Sequence, residues 1–321
     1  MIRYREDAMK IGVMIEGQEG LTWERWFRIA ERVEALGLDS LWRSDHFMSV
    51  MRRRRPALEC WVSLTALAQR SARIQFGPLV SPMTFRHPAL LARMAAAVQE
   101  LCGGRLVLGL GAGWNQAEHD AFGISLPPAP ERFDRMEEGI EVITRLFRGG
   151  PADFDGRYYP LRQAVLSPLP DSPPPLLIGG DGKVRILGMV ARYAGEWNSM
   201  VRSPAAYDEA RAALDEHCRR LGRDPASIRR SWMNGVIIGR DPAHLEERLR
   251  WHRAFLPSLE GLSTAEVRRR QQERSWLVGT PEEVAEQLRP WSRAGVQRVM
   301  LQWFDLDNLE DLSLLARVQA A

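Results

Sequence analysis

The chain has 321 residues, 45% of them hydrophobic and 26% charged, which is apolar mass enough for a sizeable core in an ordinary globular protein. Its net charge is only +3, the positive charge being carried by two lysines (Lys10 and Lys183) and by arginines that are spread along the chain, with their longest run at Arg52-Arg53-Arg54-Arg55, so nucleic acid is not its default partner. Cys60, Cys102 and Cys218 are far apart and form no C-x-x-C pair, which argues against a disulfide framework or a zinc knuckle, and no apolar run approaches the roughly 20 residues of a membrane span.

The N-terminus lacks the apolar core of a signal peptide, and a cytoplasmic protein without membrane association is expected. Residues 1–8, ahead of Met9, read as an over-called start or a loose tail. Lys10 to Ile15 is then a β-branched, apolar strand candidate, followed by a helix from Trp23 to Leu36 with Trp26, Ile29, Ala30 and Val33 at helical spacing. Ser40 to Arg43 forms a second strand and Pro56 to Gln69 a second helix. Ile74 to Val80 is a third strand, and Pro88 opens a helix to Leu101 at a position where proline is well tolerated. Arg105 to Leu110 is a fourth strand, too short and apolar for a helix, and Glu131 to Phe147 a long helix.

Residues 149–174 break the pattern with prolines and aromatics, and Tyr158-Tyr159 suggests a small hairpin in an insertion. Alternation resumes with strands at Pro175–Ile178, Glu196–Met200 and Arg229–Ile238, and helices at Val184–Tyr193 and Pro204–Leu221. Residues 240–275 are highly charged and helical, and Thr280 caps a further helix with Pro281 in its first turn. Arg298 to Trp303 is the eighth strand and Leu309 to Val318 the closing helix. Eight strands each followed by a helix predict one α/β unit over residues 1–321, a (β/α)8 or TIM barrel with an insertion; a doubly wound open sheet is the alternative.

In such a barrel the function sits where strands end at their C-terminal side. The residues there are polar and rich in glycine: Glu16, Gly17, Gln18 and Glu19; Ser44, Asp45 and His46; Ser81 and Thr84; Gly113, Trp114 and Asn115; Gly179, Gly180, Asp181 and Gly182; Asn198; Asn234; Gln302 and Asp305. Gly109, Gly111 and Gly113 miss the dinucleotide fingerprint by one residue, because Trp114 stands where its last glycine belongs. Their reading is a bare-backbone loop that approaches a flat or anionic ligand; a βα turn needing glycine for geometry alone is the rival. Gly179 to Lys183 precedes a helix, so its amides suit a phosphate. His46 is either an acid/base group or a packing histidine. Glu118-His119-Asp120 are adjacent and diverge on a helix, no H-E-x-x-H motif occurs, and no metal site is expected. The absence of G-x-S-x-G removes the simplest hydrolase.

The ordered set Ser44-Asp45-His46-Phe47, Leu79-Val80-Ser81-Pro82-Met83-Thr84-Phe85-Arg86-His87-Pro88, Gly109-Leu110-Gly111-Ala112-Gly113-Trp114-Asn115, Ile178-Gly179-Gly180 and Val278-Gly279-Thr280-Pro281-Glu282-Glu283-Val284 resembles the bacterial luciferase-like superfamily of flavin and deazaflavin oxidoreductases. It is most similar to the coenzyme F420-dependent branch. The resemblance implies a ring cofactor in the barrel mouth, F420 or alternatively FMN, with His46 beside the reacting atoms as proton donor or orienting group. It implies ring contacts from Asp45, Leu79, Val80, Ser81, Thr84, Gly111, Gly113, Trp114, Asn115 and Asn198, a non-prolyl cis peptide near Leu79 to Ser81, and a phosphate at Gly179, Gly180, Asp181 and Gly182. A homodimer follows from the same likeness, acting on a small-molecule substrate, and an FMN enzyme would need a separate flavin reductase. A binding protein without turnover is the third reading. Sugar-phosphate dehydrogenases of this superfamily carry a tryptophan four residues after the histidine and a glutamate in the loop after strand four. Val50 and, roughly, Trp114-Asn115 stand there instead, which argues against glucose 6-phosphate.

Overall fold

A computed structural model describes residues 9–51 and 54–320. The expectations for residues 1–8 and for Arg52 and Arg53 lie outside the described residues. Twelve strands occur among those described, here numbered in chain order. They are β1 (Lys10–Ile15), β2 (Ser40–Arg43), β3 (Gln75–Pro78), β4 (Ser81–Pro82), β5 (Leu108–Gly111) and β6 (Ala152–Phe154), then β7 (Leu161–Ala164), β8 (Leu176–Gly179), β9 (Glu196–Ser199), β10 (Arg229–Ile238), β11 (Leu277–Gly279) and β12 (Arg298–Trp303).

Ten of these form one parallel sheet in the order β3-β2-β1-β12-β10-β9-β8-β5-β4, with β11 added to β10. The ends of that sheet meet: Phe76 of β3 bridges Leu106 just ahead of β5, with Val107 N donating to Phe76 O at 2.9 Å. The result is a barrel of eight staves, each followed by helix, as the alternation of the sequence requires. The third stave is split. Its first half, β3, pairs with β2 and its second half, β4, with β5, and the Leu79–Val80 peptide between them is cis.

Most barrel strands carry apolar residues on both faces because both faces are covered, with polar and charged residues at their ends and along β9. Ile11, Val13, Ile15, Leu41, Phe76, Leu108, Leu110 and Ile178 point out against the helices in the main core. Met14, Trp42, Leu79, Val107, Leu177, Met233 and Met300 point inward and fill the barrel. At the N-terminal end the barrel closes over Arg298, fully buried, whose Nη1 donates to Glu196 at 2.8 Å while its Nε faces Asp39 Oδ2 at 2.7 Å without hydrogen-bond alignment.

Two excursions leave this frame. Residues 149–174 carry the antiparallel pair β6 and β7, with Tyr158 and Tyr159 in the connecting turn, all three of whose amides Arg157 to Tyr159 donate to the Glu138 carboxylate. The far end of β10 runs past the barrel, and Val236 to Ile238 pair with β11. There Ile237, Leu245, Leu249, Leu259, Val267 and Val278 form a small core of their own beneath the helices Pro242–Phe255 and Thr264–Glu273. The helix Pro281–Arg293 begins as expected, with Thr280 and Glu283 completing a capping box.

Candidate active site at the barrel mouth

A cavity of 380 Å³ opens at the C-terminal end of the barrel, a volume within the usual range of small-molecule sites. Every stave contributes to its lining. Met14, Leu79 and Met233 stand at its base as the upper edge of the inward-facing core, and Gly111, Ala112 and Gly113 make a wall almost free of side chains. His46, Glu118, Asn198 and Gln302 supply polar groups.

His46 follows β2 on a loop held from two sides. Its Nδ1 lies 2.7 Å from Glu118 Oε2, and Glu118 Oε1 accepts the amides of Phe47 and Met48, the latter at 3.3 Å. Behind it Phe47 stacks on Phe85 at 4.2 Å and meets Phe122 edge-on. With Nδ1 donating to the carboxylate, Nε2 has no partner among the described residues and is the nitrogen available to the cavity. Trp114 stands edge-on to the imidazole, with ring centroids 5.7 Å apart, and is 64% exposed. Burial opposes charge on the His46 ring, yet the hydrogen bond and charge of Glu118, helped by Glu16 and Asp45, hold its pKa above the ordinary value. Glu118 shows the complement: burial pushes its carboxyl up, and His46 with the two loop amides brings it below the ordinary range.

Asp45 is turned away from any ligand role through its oxygens. Although it lines the cavity, its buried carboxylate accepts Ser81 Oγ at 2.7 Å and Arg86 Nη1 at 2.6 Å, tying β2 to β4. Ser81 also takes the Trp61 indole N–H at 3.0 Å and lies behind the wall. Thr84 is likewise outside the cavity lining, its hydroxyl 2.8 Å from His119 Nε2, while His119 Nδ1 donates to Asn115 O at 2.8 Å. Asn115 precedes the helix Gln116–Phe122 without capping it, which leaves its amide free on the cavity side.

The glycines of the wall have a specific reason. A Cβ on Gly111 would lie 2.4 Å from Val80 Cγ2, and one on Gly109 2.0 Å from Pro78 O and 3.2 Å from Val80 Cγ1. They make room for the broken third stave and let Val80 stand up into the cavity beside Gly179. A Cβ on Gly113, at φ +80°, would strike Thr84. The sequence reading of close ligand approach is therefore joined by a packing cause that only the fold reveals.

Gly179 and Gly180 reach the cavity; Asp181 and Gly182 stand beyond it. The Gly180 amide is already used, donating to Asn198 O at 3.0 Å, and Asp181 takes Ser199 Oγ and Met200 N. At the start of the helix Arg185–Tyr193, Leu187 N donates to Gly182 O at 3.1 Å and Gly188 N to Val184 O at 3.2 Å, and since the N-cap Val184 offers no side-chain bond, the amides of Arg185 and Ile186 are the first-turn donors left for an anion. Asn198 Nδ2 donates to Ser231 Oγ at 3.1 Å and to Met300 Sδ, so Oδ1 is the atom left to accept from a ligand. Sequence reasoning missed Glu118 as a site residue, together with Met14, Met233 and Met200. The adjacency of Glu118 and His119 was the only local signal, and it pointed away from cooperation. Among the described residues no His, Cys, Asp and Glu group could hold a metal ion, and no helix is long and apolar enough to cross a membrane.

The molecule is thus an α/β barrel with a largely apolar, glycine-walled cavity and one carboxylate-held imidazole at its mouth. Residues 9–298 match the luciferase-like monooxygenase family, and the chain belongs to it. The chain is 30% identical over 290 residues, 84% of its length and 86% of the relative's, to a protein named F420-dependent glucose-6-phosphate dehydrogenase from Amycolatopsis mediterranei (strain U-32). It is 27% identical over 84% of its length and 76% of the relative's to F420-dependent hydroxymycolic acid dehydrogenase of Mycobacterium tuberculosis (strain ATCC 25618 / H37Rv). Among solved structures, an F420-dependent secondary alcohol dehydrogenase in complex with an F420-acetone adduct superposes with a TM-score of 0.81 at 21% identity, covering 97% of this chain and 98% of that one. EDTA monooxygenase from Chelativorans sp. BNC1 superposes equally well, at 0.81 and 17% identity over 98% and 94%. These likenesses establish the barrel fold.

Proposed function

We propose that the chain is a coenzyme F420-dependent oxidoreductase that exchanges a hydride with a small organic substrate held over the deazaflavin ring in the mouth cavity. The observation that carries this reading is the Glu118–His46 pair: with Nδ1 held by the carboxylate, Nε2 is the nitrogen left to exchange a proton at a largely apolar, glycine-walled cavity. The naming of relatives near 30% identity as F420-dependent dehydrogenases supports the choice of cofactor.

The residues present fit such a group. Val80 and the bare wall at Gly111 and Gly113 would face the ring, Asn198 Oδ1 would accept from its polar edge, and the uncapped helix after Gly182 would take the phosphate. The arginine run after the His46 loop would suit the acidic tail; of its described members, Arg55 donates to Glu19 O at 3.3 Å. When bound, the deazaflavin supplies the hydride chemistry. The protein supplies the proton side. His46 Nε2 would take the proton of a substrate hydroxyl or return it to a carbonyl oxygen, while Glu118 fixes the ring orientation and stabilises the charged imidazole.

Assayed with F420 and a panel of small alcohols and carbonyl compounds, the wild-type protein should turn over at least one. His46→Ala should still take up F420 and lose about 10²- to 10⁴-fold in turnover. Wild-type rates in that variant would remove His46 from the proton path.

A further inference from the structure

The second occupant of the cavity is narrowed by the charges around it, an inference that rests on the redox reading above. Three carboxyl groups line the cavity and, among the described residues, no lysine or arginine does. Two of the three are matched in place, Asp45 by Arg86 and Glu118 by His46. Glu16 is different. It receives hydrogen bonds from the side-chain amides of Gln302 and Gln18, which orient its carboxylate, and among the described residues it forms no ion pair. Neighbouring cations are directed elsewhere: Arg43, buried behind Gly17, donates to Ser44 O, Leu58 O and Ser63 Oγ, Arg86 is spent on Asp45 and Glu59, Arg55 lies over the Phe255 ring, and Lys183 pairs with Glu209. Apart from the uncharged polar groups of Ser44, Asn115, Asn198 and Gln302 and the two imidazoles, the rest of the surface is apolar, with Met14, Leu79, Val80, Phe85, Trp114 and Met233.

We infer that this site takes an uncharged, largely apolar alcohol or carbonyl compound and rejects phosphorylated and carboxylated ones, with Glu16 as the residue that discriminates. A phosphate or carboxylate entering here would lose its hydration, find no guanidinium or ammonium to replace it, meet in His46 an imidazole whose charge is already matched by Glu118, and face the like charge of Glu16. An uncharged ring or chain would instead bury its surface against Trp114 and Met200, both of which line the cavity and are exposed at the mouth. In the oxidative direction the carbinol carbon gives its hydride to the oxidised cofactor and the hydroxyl gives its proton to His46 Nε2, leaving a C=O bond. The reductive direction is the reverse.

The test compares two ketones that differ by one charge, cyclohexanone and 4-oxocyclohexane-1-carboxylate, with glucose 6-phosphate as a third probe. Each is titrated calorimetrically into protein already saturated with F420. Cyclohexanone should bind about tenfold or more tightly than the carboxylate, glucose 6-phosphate should not bind, and Glu16→Gln should narrow the ratio by about threefold or more, as removal of a nearby like charge requires. Equal or tighter binding of either anion by the wild-type protein overturns the inference, and an unchanged ratio in Glu16→Gln removes Glu16 as its cause. Failure of F420 to bind would be seen before any ketone is added and would count against the redox reading alone. The same three probes would then be titrated into FMN-loaded or cofactor-free protein, where they still read charge selectivity.

Discussion

The pairing of His46 with Glu118 sets the chemistry of single residues, and its pH dependence has a definite sign. A histidine whose folded pKa is raised contributes stability that is complete below its unfolded value, about 6.5, and is lost as pH rises through the higher folded value. Glu118, with its pKa lowered, contributes stability above its ordinary range that is lost as pH falls through the depressed value. The charged pair is thus complete between the two folded values. Nuclear magnetic resonance titration of the His46 ring should give a midpoint above about 6.5, and Glu118→Gln should move it down. A midpoint that ignores the substitution would mean that Glu118 holds the loop through Phe47 and Met48 alone. His46 itself was legible in the sequence, because it ends a strand beside Asp45. Glu118 was not, since 72 positions separate it from His46 and only the closing of the barrel brings the helix Gln116–Phe122 over the β2 loop.

At the scale of elements, most strands could be read directly. β1, β2, β10 and β12 have the bounds their apolar runs predict, because a strand buried on both faces writes its whole length in the sequence. The third stave could not. Ile74 to Val80 reads as one strand, yet the chain pairs as β3 with one neighbour and as β4 with the other, and the cause lies in β5, whose glycines yield the space. β11 was also hidden: three residues are too few for a periodic signal, and its partner is the overhanging end of β10. The split stave makes a prediction that separates two glycines. Gly111→Ala should destabilise by about 1–3 kcal/mol through its clash with Val80, and Val80→Ala should relieve most of that cost. Gly109→Ala meets the Pro78 carbonyl, which cannot withdraw, so the same Val80→Ala background should leave its cost largely in place. Urea unfolding of the single and double variants measures both; equal rescue at the two positions would contradict the packing argument.

For the molecule as a whole, the barrel divides its labour between its ends. The N-terminal end is closed by Arg298 among Glu196, Asp39 and Gln75, far from the mouth and fully buried. Removing one partner strands the others without water, so Arg298→Met should cost about 3–5 kcal/mol in urea unfolding. A loss below ~1 kcal/mol would mean that the carboxyl groups find other partners. The C-terminal end holds the cavity, and every stave sends at least one residue to it, which is why the strand-end reading put His46, Gly113, Asn115, Gly179 and Asn198 among its lining without a structure, whereas Leu79, Val80 and Gly111 came from the family resemblance. It placed Ser81, Thr84, Asp181 and Gly182 there too. Those four follow their strands by the right spacing, but their side chains or backbone turn into the supporting shell, a direction that chain order does not encode.

A mouth that takes a deazaflavin should distinguish it from a flavin, and a fluorescence titration of the purified protein with coenzyme F420 and with FMN in the same buffer and salt measures this directly. The account predicts saturable binding of F420 and a preference for it over FMN of about tenfold or more, the equivalent of ~1.4 kcal/mol. Tighter binding of FMN, with no saturable response to F420, would contradict it and would move the chain to the flavin monooxygenases of its family.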